Sequence, residues 1–127
     1  MSDIEVVERW YEALGARDLT AIAELLHPEA VVTQDERLPW GGRWVGHDGF
    51  LQFAGALTGS IASAVTIDAI FEADGEVIEV GRTKGTVVAN GQAFDIPEVH
   101  RFTVRDGQIV AAHFAIDTPG MLAALHA

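Results

Sequence analysis

A chain of 127 residues has the length of one domain and can bury about two-thirds of the surface that its unfolded state exposes. Its 19 carboxylates face only 8 Lys and Arg, a formal net charge of -11 that repels phosphate backbones and excludes nucleic acid as an expected partner. Cysteine is absent, which excludes disulfide and thiolate chemistry, and no apolar run approaches the ~20 residues of a membrane span. The acidic start, Met1 to Glu5, lacks the cationic and apolar blocks of a signal peptide, so a cytoplasmic protein with no membrane partner is expected.

The spacing of Val7, Trp10, Tyr11 and Leu14 predicts a helix from Ile4 to Ala16, with Glu5, Glu8, Arg9 and Glu12 largely on the other side. Gly15 to Asp18 reads as a break. Leu19 to Leu26 reads as a second helix that Pro28 ends, because the residue before a proline is pushed out of the α region. Ala30 to Thr33 is expected to be a short strand. Leu38 to Gly46 packs a proline, three glycines and two tryptophans into nine residues and is expected to be an irregular, shaped loop. Asp48 is the expected cap of a third helix, Gly49 to Leu57, with Phe50, Phe53, Ala54 and Leu57 on one face.

From Ser60 onward four β-rich runs follow: Ala64 to Glu72, Glu76 to Val88, Gln92 to Arg105 and Gln108 to Ile116. Asp74-Gly75, Asn90-Gly91 and Asp106-Gly107 separate them, and such pairs favour the primed turns that match strand twist, so three consecutive antiparallel hairpins are expected. Pro119 and Gly120 precede an apolar tail, Met121 to Leu125, read as one helical turn. Helices followed by a meander of long strands imply an α+β class: three N-terminal helices packed on a strongly curved antiparallel or mixed sheet, in a single domain spanning 1–127. Helices on the concave side of such a sheet leave a mostly apolar hollow for a small hydrophobic organic ligand.

Alternation along the third run places Glu98, His100, Phe102 and Val104 on one face, and the two apolar members make it the inward face. A glutamate and a histidine there are costly to bury unless hydrogen-bonded or functional. His100 is the candidate general acid or base, because an imidazole titrates near neutral pH. Glu98 or Asp117 would orient it, and Asp35 would be a second acid; simple hydrogen bonding inside the sheet explains Glu98 and His100 equally well. Arg82 could grip a carboxylate or enolate, although a surface pair with an acid is the weightier reading. Trp10, Tyr11, Phe50 and Phe53 suit a pocket wall or a packed core, whereas Trp40 and Trp44, on the glycine-rich stretch, are expected at the pocket mouth or as a lid. His27, His47, His100, His113 and His126 show no ligand spacing, with a cross-hairpin meeting of His100 and His113 the one arrangement left, so no metal is expected. There is no phosphate loop, dinucleotide fingerprint or nucleophile elbow, and no cofactor is expected.

The order of elements carries a resemblance. Val7-Glu8-Arg9-Trp10-Tyr11-Glu12-Ala13-Leu14 with Arg17-Asp18-Leu19, Leu25-Leu26-His27-Pro28-Glu29-Ala30-Val31, and Gly41-Gly42 with Val45-Gly46-His47-Asp48-Gly49 are its first half. Val99 to Val110 and Asp117 are its second. On these stretches the chain resembles the SnoaL-like polyketide cyclases of the nuclear transport factor 2-like superfamily, whose relatives include ketosteroid isomerase, scytalone dehydratase and limonene epoxide hydrolase. The resemblance implies a cone-shaped, cystatin-like α+β barrel. Ketosteroid isomerases use a tyrosine and a protonated aspartic acid as oxyanion hole and another aspartate as base. Those positions fall on Trp10 (with Tyr11 adjacent), on His100, and near Gln34 with Asp35 beside it. Two of the three roles are therefore lost, and steroid isomerisation is not expected. The cyclases place a histidine and an acid in the pocket, for which His100 and Asp117 stand here. The expected ligand-binding set is Trp10, Tyr11, Gln34, Trp40, Trp44, Phe53, Arg82 and His113. Two functions follow: a cofactor-free proton-transfer enzyme of isomerase, cyclase, dehydratase or epoxide hydrolase type, or a non-catalytic ligand-binding or protein-interaction module. A homodimer through the outer sheet face is also expected, from the apolar excess at Val87, Val88, Phe114 and Ile116.

Overall fold

The computed structural model describes residues 1–127. Helix α1, Asp3–Ala16, opens on a capping box: the Glu5 backbone N–H donates to Ser2 Oγ at 3.1 Å and the Ser2 N–H donates to Glu5 Oε1 at 3.2 Å. Helix α2, Leu19–Leu25, is capped by Asp18. The chain passes straight from α2 into strand β1, Leu26–Gln34, so the second helix is shorter and the strand longer than expected. Pro28 lies inside β1 rather than behind a helix; the pairing of this strand shifts register between Leu26 and Val31, where a missing N–H costs no ladder bond.

The stretch expected to be a loop contains strand β2, Gly42–Val45, which pairs antiparallel with β1 from Val31↔Val45 to Gln34↔Gly42. Helix α3, Gly46–Ser60, starts earlier and runs longer than the pattern implied, and its cap position is Val45. Asp48 makes no capping bond and sits in the first turn, where its charge favours the helix dipole. The long strands follow as β3, Ile61–Ala73, β4, Glu76–Val87, β5, Ala93–Arg105, and β6, Gln108–Ile116. The tail forms a fourth helix, α4, Thr118–Leu125. The sheet order is β2-β1-β6-β5-β4-β3, antiparallel except for the parallel β1–β6 pair. This is the expected α+β class, with four helices on a curved mixed sheet. No helix is long and apolar enough to cross a membrane.

Two hairpins close as read: Asp74-Gly75 and Asp106-Gly107 each show φ of 51° and 77°, the conformation of a two-residue primed turn. The third does not. The Val87 N–H bonds the Gln92 carbonyl at 2.9 Å, so the loop holds four residues, Val88 to Gly91. This moves β4 by two residues against β5 relative to a two-residue turn. It sets Glu79 opposite His100 and Gly81 opposite Glu98.

The core lies between the concave sheet face and α1 and α3. Trp10 meets Phe50 edge-on at 5.0 Å, and Phe53 packs on Phe114 at 5.7 Å. Inward residues of β5 (Phe94, Ile96, Phe102, Val104) are buried as alternation requires. Val87 and Phe114, cited for an outward apolar surplus, are buried in the core, and Val88 lies in the hairpin loop. The apolar patch on the convex face is instead Phe71 and Val99, both exposed, with half-buried Ile78 and Val80 beside them in register.

Candidate active site

Between α1, α3 and the concave sheet face lies a cavity of about 100 Å³. Twelve of its 16 lining residues are hydrophobic, so an occupant must be mostly apolar; the polar exceptions are Gln34, Ser63, Thr83 and His100. Tyr11 reaches it from α1, His100 from β5 and Gln34 from the end of β1.

Behind this wall is a buried cluster. Tyr11 Oη lies 2.7 Å from His100 Nδ1 and donates to Glu79 Oε2 at 3.2 Å. His100 Nδ1 is 3.4 Å from Glu79 Oε2 and 3.3 Å from Glu98 Oε2. The Thr83 hydroxyl donates to Glu98 Oε1. Glu79 is 0% and Glu98 2% exposed, and neither acid pairs with a lysine or arginine. Bare charges of like sign at such depth are costly, so a proton has to be retained. Burial first, then the Glu98 hydrogen bond and charge, push the Glu79 carboxyl up to about 9, so that it is protonated at neutral pH. The proton kept on Glu79 gives the pair a donor, where Glu79 Oε1 and Glu98 Oε2 otherwise have no partner. Burial pulls His100 down to about 4 against the attraction of Glu98, leaving a neutral imidazole. Burial and the two acids hold the Tyr11 phenol far above its ordinary range. The ligand atoms of Glu79, Glu98 and His100 lie within 4.8 Å of one another, a spacing that suits a small divalent cation as well as a proton.

The structure brings together six of the expected residues around the cavity: Trp10, Tyr11, Gln34, Trp40, Phe53 and His100, with Glu98 directly behind. Five others are elsewhere. Asp35 is at the surface, gripped by Arg37 at 2.7 to 3.2 Å, which holds its carboxyl down at about 2. Asp117 is the cap of α4 and accepts from the Gly120 N–H at 3.0 Å, so its carboxylate serves a helix end rather than the pocket. Arg82 pairs with Asp95 on the strand surface. His113 lies on the convex face opposite Arg101, bonded to the Thr33 hydroxyl at 2.7 Å, and alternation turns it away from His100. Trp44 is half-buried against Phe53, outside the cavity wall. Trp40 is no lid either: at 1% exposure it is an inner wall, because β2 ties the glycine-rich stretch to the sheet.

Glu79 was not among the residues expected from sequence. Alternation along β4 (Val77, Glu79, Gly81, Thr83) is the signal for it, but the four-residue hairpin loop conceals which face and partner it has. Gly81 makes the room. A Cβ there would strike the Thr66 carbonyl oxygen and Glu79 Oε1. Gly81→Ala is therefore expected to cost about 1–3 kcal/mol of stability through overpacking. Chemical denaturation checks this, and an unchanged midpoint would show that the Thr66 carbonyl and the acid both give way.

The fold is that of a nuclear transport factor 2-like protein. The SnoaL-like domain model matches residues 7–112, and the chain belongs to that family. An NTF2-like protein of unknown function from Burkholderia pseudomallei K96243 is 26% identical, with a TM-score of 0.90 over 100% of both chains. TerC co-crystallised with polyporic acid is 22% identical, with a TM-score of 0.87 over 98% of both chains. A protein provisionally assigned as a polyketide cyclase from Pseudomonas putida KT2440 is 18% identical, with a TM-score of 0.83 over 98% of both chains. None of the curated proteins matches the sequence.

Proposed function

We propose that this chain is a cofactor-free proton-transfer enzyme of isomerase or cyclase type, acting on a small, mostly apolar organic molecule. The observation that carries the reading is His100: it stands in the cavity wall with Nδ1 held by Tyr11 and two buried acids behind it. In the tautomer with a proton on Nδ1, that N–H donates to Tyr11 Oη while the phenol donates to Glu79. Nε2, which has no partner in the protein, then offers a lone pair to the cavity. It takes a proton from an acidic C–H of the ligand, and the imidazolium so formed is stabilised by Glu98 at 3.3 Å. Returning that proton to another atom of the same molecule completes an isomerisation or ring closure with no net change in atoms or electrons. The family membership and the provisionally assigned cyclase among its structural relatives support the class of reaction.

The test is solvent-hydrogen exchange. In D2O, cyclic ketones and enones are expected to lose α-hydrogen signals by NMR faster with the protein than with buffer. Binding without acceleration across the panel would instead favour a non-catalytic ligand carrier.

We also propose a homodimer through the convex face, supported by Phe71, Ile78, Val80 and Val99 in register across three strands. Light scattering is expected to give twice the chain mass at micromolar concentration, and Val99→Glu to halve it. A monomeric mass for the unmodified chain would refute the proposal.

A further inference from the structure

The cavity has a second polar pole, opposite in character to the acid-backed histidine. Gln34 is 8% exposed and lines the same cavity as His100. The Trp40 indole N–H donates to Gln34 Oε1 at 2.8 Å. An indole nitrogen can only donate, so the atom facing it has to be the amide oxygen, and the orientation of the Gln34 amide is settled. Its Nε2 then carries two hydrogens that no group of the protein accepts. Buried polar groups are rarely left unpaired, and unpaired donors in a cavity wall call for an acceptor that the cavity's occupant supplies.

We propose that Gln34 is a carbonyl-binding residue whose Nε2 donates to a ketone or quinone oxygen of the ligand, with Trp40 as the residue that orients it. The inference rests on the proton-transfer reading and narrows its substrate class. A carbonyl acidifies the adjacent C–H, and removing that proton at His100 throws negative charge onto the oxygen. Donors aimed at that oxygen are then worth more in the charged transition state than in the bound ketone. Ligands without an oxygen at that end leave the donors unpaired, which disfavours plain hydrocarbons of the same shape.

The probes are 1-tetralone and tetralin, which share a bicyclic frame and differ by C=O against CH2, titrated into the full chain by tryptophan fluorescence. The unmodified chain is expected to bind 1-tetralone more tightly. Gln34→Leu is expected to weaken 1-tetralone roughly tenfold, the loss of one hydrogen bond with its donor pole, and to leave tetralin unchanged or tighter. Trp40→Phe, which keeps the Gln34 side chain but frees its amide, is expected to cause a smaller loss confined to 1-tetralone. In infrared spectra the bound carbonyl stretch is expected at lower frequency in the unmodified chain than in Gln34→Leu. Equal affinity for the two probes, equal weakening of both in Gln34→Leu, or no binding of 1-tetralone overturns the assignment. An unmodified chain that shows no preference for 1-tetralone, while His100-dependent exchange persists, sinks the role of Gln34 alone. A preserved preference with no exchange on any ketone sinks the catalytic reading alone.

Discussion

His100→Gln is expected to slow solvent-hydrogen exchange into a bound ketone by about 10²–10⁴, the usual contribution of a positioned base. Glutamine keeps most of the volume and can still meet the Tyr11 hydroxyl, so folding and ligand affinity are expected to stay near those of the unmodified chain. His100→Ala is expected to lose as much rate, and added free imidazole to restore part of it, because the vacated space opens onto the cavity. The rate of the unmodified chain is expected to be level across neutral pH and to fall only as the medium approaches about pH 4, where His100 takes up the proton it must keep free. A chelator is expected to leave the rate unchanged, which separates a proton cluster from a cation site at the same three side chains. A wild-type rate in His100→Gln would end the proposal outright, since no other unpaired base lines the cavity.

How far the sequence foretold the site depended on whether the signal was local. Asp74-Gly75 and Asp106-Gly107 announce their hairpins because both residues of each adopt positive φ, which few residue pairs tolerate. Alternation on β5 placed Glu98 and His100 inside because the same face ends in Phe102 and Val104. The register of β4 was not legible. The loop closes from Val87 to Gln92 rather than around Asn90-Gly91 alone, and only that choice sets Glu79 beside His100. Strand β2 was hidden because its partner, β1, supplies the order that a glycine-rich stretch lacks by itself. That pairing turns Trp40 from an expected lid into the wall that orients Gln34. Asp117 was misread although its local text was informative: an acid followed by Thr118-Pro119-Gly120 is a helix start, with proline in the first turn, and capping consumes the carboxylate. His113 failed by parity, since one residue along β6 separates the concave face from the convex one.

Glu79→Gln is expected to remove a decline in stability on the alkaline side. The folded chain holds a proton on Glu79 up to about 9, whereas an unfolded glutamate releases it near 4.5, so folding takes up a proton between those values and stability falls as pH rises. His100 acts in the opposite sense. Its folded value is about 4 against 6.5 unfolded, so over that span the unfolded chain holds the extra proton and stability rises with pH. Between 4.5 and 6.5 the two contributions offset each other, because folding in effect moves a proton from the histidine to the acid. Above 6.5 only Glu79 remains, and the stability of the unmodified chain relative to Glu79→Gln is expected to fall toward pH 9 by up to about 1.4 kcal/mol per pH unit. Glutamine is a neutral stand-in for the protonated acid: it can accept from Tyr11 and donate to Glu98, so the variant should fold and lack the decline. Urea denaturation of both proteins from pH 6 to pH 9 reads the difference, and the contributions of titrating groups far from this cluster, common to the two chains, cancel. Parallel curves would mean that no proton is kept between Glu79 and Glu98 in the folded chain. The neutral imidazole in front of them would then be facing two bare charges, an arrangement in which His100 would hold its own proton at neutral pH and could not act as a base.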